Sequence, residues 1–319
     1  MSPTAQAAPA PSSTRRRLFI ALRVAVTVGA LAWTLSRVSL HDLGAAAARM
    51  PPATVLLAVL LAIGTLTIAA LRSRLLLYAY GAPRPLTFLS LCRLHWAGIF
   101  YNTFLPGNVA GDLMRAHAMR EAFQGAAGSW ATVAIERVFG LAGLFSLAAC
   151  VVAFHPVPGI ANLPALAAVA LVVAAAAAAA PVLGRRLSFL PGRLGKLAAS
   201  LPTVVHPAML PIALLLSLCT QAMVALTGYV LVRALHPSAQ LADMLVLVPF
   251  ASVAAYFPAS IAGLGVREAA LVALLGAVGV SRPDATAVSF AYLATQLVVA
   301  AVGGLLPVAA KTVEPGQSG

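Results

Sequence analysis

Eight apolar stretches, at about 18–36, 53–71, 131–153, 163–183, 208–232, 241–257, 266–281 and 285–309, take up most of this chain. Most approach the ~20 residues that carry an α-helix across a hydrocarbon core, and only 266–281 falls clearly short. Asp, Glu, Lys and Arg make up 9% of the 319 residues and hydrophobic residues 61%. Soluble domains carry about 25% charged residues, so the water-facing surface a soluble fold needs is not there. The chain reads as an all-α polytopic membrane protein of about eight transmembrane helices. Residues 1–14, rich in Ala, Pro and Ser, form a disordered tail, 15–311 a single transmembrane domain, and 312–319 a C-terminal tail.

The net charge of +13 raises nucleic acid as a partner. The basic residues are scattered between apolar runs with no basic stripe, which excludes it. The positive-inside rule accounts for the excess better. Arg15, Arg16 and Arg17 precede the first apolar stretch and hold the N-terminus in the cytoplasm. That stretch is a retained helix or a cleavable signal peptide; its length and the lack of a clear small-residue cleavage site favour retention. Arg72, Arg74, Arg84, Arg115 and Arg120, the basic residues of 185–196, and Lys311 then share the cytoplasmic side. Arg37, Arg49, Arg233 and Arg282 fall outside. Cys92, Cys150 and Cys219 are far apart and show no metal-ligand spacing, so they read as packing residues, and no metal or cofactor is expected.

Residues 86–118 are apolar enough to enter the membrane yet contain His95, Asn102, Pro106, Gly107, Asn108, Gly111, Asp112 and Arg115. They read as a re-entrant hairpin: a helix going in, a break near Asn102–Gly107, and a short helix returning. Such a break is tolerated only among other helices or beside a watery cavity. A second segment resembles it. Pro106–Arg115 aligns without a gap with Pro258–Arg267, matching the proline, the Ala–Gly pair and the closing arginine, with Asn108 opposite Ser260 and Gly111 opposite Gly263. Tyr101 and Phe104 precede one, Tyr256 and Phe257 the other. Either two Pro/Gly loops coincide by chance, or the chain is a two-fold internal repeat with a broken helix in each half. Paired interruptions of this kind point to a midplane binding site. The short helix after each break would aim its positive end, and freed N–H groups such as that of Gly265, at an anion.

Three acids fall where they are costly: Asp112, Glu136 and Glu268, each with an arginine nearby in Arg115, Arg137 and Arg267. An intramembrane charge costs at least about 2.5–3.5 kcal/mol, so such residues face a bundle interior. They lock helices together, bind a ligand, or do both. Neighbours on a helix point about 100° apart, so Glu136–Arg137 and Arg267–Glu268 are poor pairs. Cross-pairs, such as Glu136 with Arg115 or Arg267, are expected instead, in one pocket shared by both hairpins. His95, Gln221 and Gln296 read as packing residues, and Arg23 and Arg93 as snorkelling ones.

Asn102–Arg115, Glu136-Arg137-Val138-Phe139-Gly140-Leu141 and Pro258–Glu268 together resemble the lysylphosphatidylglycerol synthase/flippase transmembrane family, in order and over nearly the whole chain. Gly140 departs from the pattern, where the family often carries Asp. The resemblance implies a bacterial cytoplasmic-membrane protein with both termini inside and a lipid-headgroup cavity between two re-entrant segments. It also implies that the soluble aminoacyl-transferase domain of the best-known members is absent, because the chain ends soon after Lys311.

The expected function is a flippase-like lipid translocase moving an anionic or phosphate-bearing (glyco)lipid between leaflets, not an enzyme. Arg115, Arg137 and Arg267 would hold phosphate; Asp112, Glu136 and Glu268 would orient them or bind a headgroup amine. No GxxxxGK[ST] motif occurs, so ATP hydrolysis by that machinery is not expected. A membrane-embedded glycosyltransferase or lipid-modifying enzyme is one alternative, and a non-catalytic partner of a lipid-pathway enzyme another. A homo-oligomer fits any of these.

Overall fold

Caps and prolines set where the helices begin. In the computed structural model, which describes residues 39–84, 86–104, 109–120, 122–123, 126–158, 164–173, 203–254 and 264–306 with isolated positions at 28, 29, 32, 34, 36 and 186, no strand occurs among the described residues. Helix α1 (Leu40–Ala48) follows Ser39, whose hydroxyl accepts from the Asp42 N–H at 3.0 Å. Helix α2 (Pro52–Ala79) opens on a proline, where an absent N–H costs no hydrogen bond. The Thr87 hydroxyl accepts from the Ser90 N–H at 3.2 Å and starts α3 (Phe88–Phe104). There follow α4 (Ala110–Ala118), α5 (Ala126–Phe154), α6 (Pro164–Val173), α7 (Met209–Leu235), α8 (Leu241–Ala254) and α9 (Val266–Ala277). Ser281 caps α10 (Arg282–Gly304), accepting from the Asp284 N–H at 3.3 Å.

Four helices are long and apolar enough to cross a membrane: α2, residues 128–154 of α5, α7 and α10. The shortest, α10, has 23 residues, about 34 Å at 1.5 Å per residue. This makes the chain a multi-pass membrane protein, with exposed leucines such as Leu56, Leu57 and Leu60 of α2 facing outward. The expected spans at 241–257 and 266–281 are α8, of 14 residues, and α9, of 12. At about 18 Å, α9 is too short to cross a ~30 Å core alone, while α8 runs to the edge of the described residues at Ala254. Most of the expected first span, 18–36, and the second half of 163–183 lie outside the described residues, as do Pro106, Gly107, Asn108, Pro258, Ser260 and Gly263.

The contacts fix direction. Gly64 lies beside Met223, Arg72 beside Ser217, and the Ala79 carbonyl accepts from the N–H groups of Val205 and His206, so α2 and α7 run antiparallel. They form the most extensive helix pair. Helices α5 and α8 are also antiparallel, joined by the Phe145 and Phe250 rings at 5.8 Å and by His155 and Asp243 at 3.0 Å. The α3–α4 pair opens at the end where α2 finishes, and there the Arg84 N–H donates to the Ala122 carbonyl at 3.3 Å. The α8–α9 pair opens at the opposite end, where Arg49, just before α2, pairs with Asp284 at the start of α10. Helix α10 touches α1, α2, α3, α7 and α9 and is the most enclosed of the four long helices.

Candidate functional site

The α3–α4 hairpin closes on two glycines. A Cβ on Gly111 would overlap the Gly98 carbonyl, so only glycine allows the two backbones this close. The Asn102 side-chain oxygen accepts from the Gly111 N–H at 2.8 Å, occupying a donor that the first turn of α4 leaves without a helical partner. This contact aims Arg115, one turn further on, between α2, α3 and α5.

Arg115 is 7% exposed and Glu136, on α5, 2%. Arg115 Nη2 pairs with Glu136 Oε2 and lies 3.1 Å from His95 Nε2 and 3.4 Å from Ser73 Oγ. His95 Nε2 is in turn 2.8 Å from Ser73 Oγ. A guanidinium carries only donors, so His95 Nε2 must accept, and the ring is uncharged with its proton on Nδ1. Arg115 Nη1 lies 3.8 Å from Asp112, and Asp112 Oδ2 accepts from Arg137 Nη2 at 2.6 Å and Nε at 2.9 Å. Charges therefore alternate inward from Arg137, whose side chain is 38% exposed, through Asp112 and Arg115 to Glu136. Arg72, also buried, donates to Ser217 Oγ at 3.1 Å and lies 3.8 Å from where a Cβ on Gly140 would stand. Gln221 donates to the Gly140 carbonyl at 2.9 Å. Apolar clusters flank this group, Leu91, Leu94 and Ala116 on one side and Leu76, Ile135 and Phe139 on the other.

The expected pairing of Glu136 with Arg115 is present. Arg267 and Glu268, expected to be poor partners, do pair: Arg267 Nη2 and Nε reach Glu268 Oε1 at 2.8 and 3.0 Å. The 100° rule applies to side chains pointing radially outward. Glu268 instead folds back over the start of α9, where its Oε2 accepts from the Gly265 N–H at 2.6 Å, and this brings its carboxylate to Arg267. Gly265 itself has φ 82°, a conformation that favours glycine. Arg267 also lies over the Tyr292 ring, 5.4 Å from its centroid. Among the described residues the ion pairs fall into two sets, one per hairpin, because each of Arg115, Arg137 and Arg267 meets an acid on its own or an adjoining helix. Arg72, Ser73 and His95 belong to the first group although sequence reasoning placed Arg72 in a loop and His95 in packing. The signal for Arg72 was the apolar run Leu75–Leu77 that follows it and continues α2.

The profile of the lysylphosphatidylglycerol synthase TM region matches residues 20–304. The chain belongs to that family. This agrees with the resemblance carried by the three motifs and with a lipid-related role in the membrane. A search of curated proteins finds no match.

Proposed function

We propose that this family member is a lipid translocase, passing an anionic or phosphate-bearing headgroup through the interior of the helix bundle without a chemical step. The observation that carries the reading is the chain of charged side chains that runs from the half-exposed Arg137 through Asp112 to the buried Arg115 and Glu136. Charges inside a membrane are costly and usually functional, and an arginine in such a chain can exchange its carboxylate for a phosphodiester oxygen. Arg137, the most exposed member, meets the phosphate first, and Asp112 hands it to Arg115 by exchanging one partner for the other.

The helix packing supports an inverted two-fold repeat with re-entrant hairpins. Exchanging α2, α3, α4 and α5 for α7, α8, α9 and α10 maps the hairpin pairs α3–α4 and α8–α9 onto each other. It does the same for α3–α10 and α5–α8, and for α4–α5 and α9–α10. Because α2 and α7 are antiparallel, the halves would be related by an axis in the membrane plane, as in many secondary transporters. Hairpins entered from opposite faces suit alternating access. The arginines at the open end of α3–α4 favour that end as cytoplasmic, with the cytoplasmic membrane of a bacterium as the setting.

The test is movement of fluorescent phosphatidylglycerol between leaflets of reconstituted vesicles. Arg115→Ala is expected to reduce the protein-dependent rate at least tenfold with the protein still monodisperse in detergent. An unchanged rate would remove Arg115 from the pathway.

A further inference from the structure

The three carboxylates of the two hairpins are not equally provided for. Asp112 Oδ2 accepts from two donors of Arg137, and Arg115 Nη1 stands 3.8 Å from Oδ1. Glu268 Oε2 accepts from the Gly265 N–H, and Oε1 accepts from Arg267. Glu136 has Arg115 on Oε2, while its Oε1 is fully buried and has no hydrogen-bond partner among the described residues. If Arg115 is drawn away, Asp112 keeps Arg137, but Glu136 loses the hydrogen bond and the ion pair that its burial requires. The surrounding groups do not replace them. His95, on α3, is uncharged and accepts from Arg115 at 3.1 Å. Arg137, on α5 itself, holds Asp112, and Arg72, on α2, donates to Ser217 Oγ. From α7 come the uncharged Ser217 and Gln221.

An ionised carboxylate stranded in an apolar interior is strongly unfavourable, and a buried acid escapes by taking up a proton. A phosphodiester oxygen that takes the place of Glu136 on Arg115 strands Glu136 in this way. We propose that Glu136 is the proton site of a coupled exchange: the headgroup binds Arg115, a proton binds the released carboxylate, and the two cross together. This rests on the lipid-translocase reading and adds its energy source, a proton gradient. The charges balance. The empty site holds Arg115 and Glu136 as an ion pair. The loaded site holds Arg115 and the phosphodiester beside a neutral acid, so each anionic lipid carries one proton and no net charge moves. The bare Oε1 is the oxygen free to take the proton without first breaking a bond. A proton on His95 instead would set another positive charge beside Arg115 and Arg72, whereas on Glu136 it removes a buried charge.

Wild-type protein is reconstituted in vesicles holding a pH difference of about one unit with the membrane potential clamped at zero, and short-chain fluorescent phosphatidylglycerol is followed between leaflets. One proton per lipid is expected to drive the lipid towards the alkaline side, to a leaflet ratio approaching about tenfold, beyond any redistribution in protein-free vesicles. Collapsing the gradient is expected to abolish the imbalance, and Glu136→Gln to show none; if that variant does not fold, the wild-type response stands alone. Protein-dependent movement that ignores the gradient would overturn the coupling and leave translocation intact. If the lipid moves no faster than in protein-free vesicles, translocation fails, and infrared spectroscopy of the purified protein decides the proton site. Arg115→Ala, or Arg115→Met if alanine does not fold, is expected to show a protonated carboxylic acid at neutral pH that is lost when Glu136→Gln is added. A carboxylate that stays ionised without Arg115 would overturn the proposal.

Discussion

At the scale of single residues, the Arg115–Glu136 pair is held by burial as much as by charge. Both side chains have left water, so deleting one strands the other in a low-dielectric interior at a cost of about 3–5 kcal/mol. Replacing both with apolar side chains of similar size removes the desolvation penalty too. Glu136→Ala is therefore expected to lower thermal stability in detergent by several kcal/mol, and Arg115→Met with Glu136→Leu to recover much of that loss while remaining inactive. A double variant no more stable than Glu136→Ala would show that the pair contributes net attraction beyond repaying its own desolvation. The charged members of this site were legible in the sequence because Asp112, Arg115, Glu136 and Arg137 stand out in apolar surroundings. His95 and Ser73 were not. An isolated histidine and a helical serine look like packing until the fold brings both to Arg115 Nη2, and that convergence joins α2, α3 and α4 across long sequence separations.

At the scale of elements, the first hairpin depends on the approach of α3 to α4 through Gly98 and Gly111. An alanine methyl at Gly111 meets backbone, which cannot rotate away as a side chain would. Gly111→Ala is expected to destabilise by about 1–3 kcal/mol, as overpacking does, and to slow lipid movement by displacing Arg115. Gly276, in α9, has nothing within 4 Å of its Cβ direction, so Gly276→Ala is expected to be neutral or to stabilise by up to about 1 kcal/mol. A Gly111→Ala protein as stable as Gly276→Ala would refute the close-packing account. The true length of α2 was hidden because Arg72, Ser73 and Arg74 look like the end of a span. The antiparallel partner α7, offering Ser217 to Arg72, helps make a charged continuation to Ala79 tolerable. The same kind of limit applies to α8 and α9: their apolar character was plain, but their return to one end of the bundle depends on the Arg49–Asp284 and His155–Asp243 pairs, which no local pattern encodes.

At the scale of the whole molecule, direction is the property that links packing to transport. Helices α2 and α7 are antiparallel and each is followed by a hairpin, so the two hairpins must open at opposite ends. In a membrane this places Arg84, at the mouth of the first, on the face opposite Ser238 and Arg282, which flank the second. All three are exposed and tolerate substitution without disturbing the core. With Cys92, Cys150 and Cys219 replaced by alanine, single cysteines at Arg84, Ser238 and Arg282 can be probed with a membrane-impermeant maleimide on intact cells. Ser238→Cys and Arg282→Cys are expected to label from outside, and Arg84→Cys only after the membrane is opened. Labelling of Ser238→Cys and Arg282→Cys from opposite faces would mean that α8 and α9 cross an odd number of times, and the inverted pairing would fail. Labelling of all three from one face would place α2 and α7 in the same direction, contradicting the contacts between Ala79 and His206.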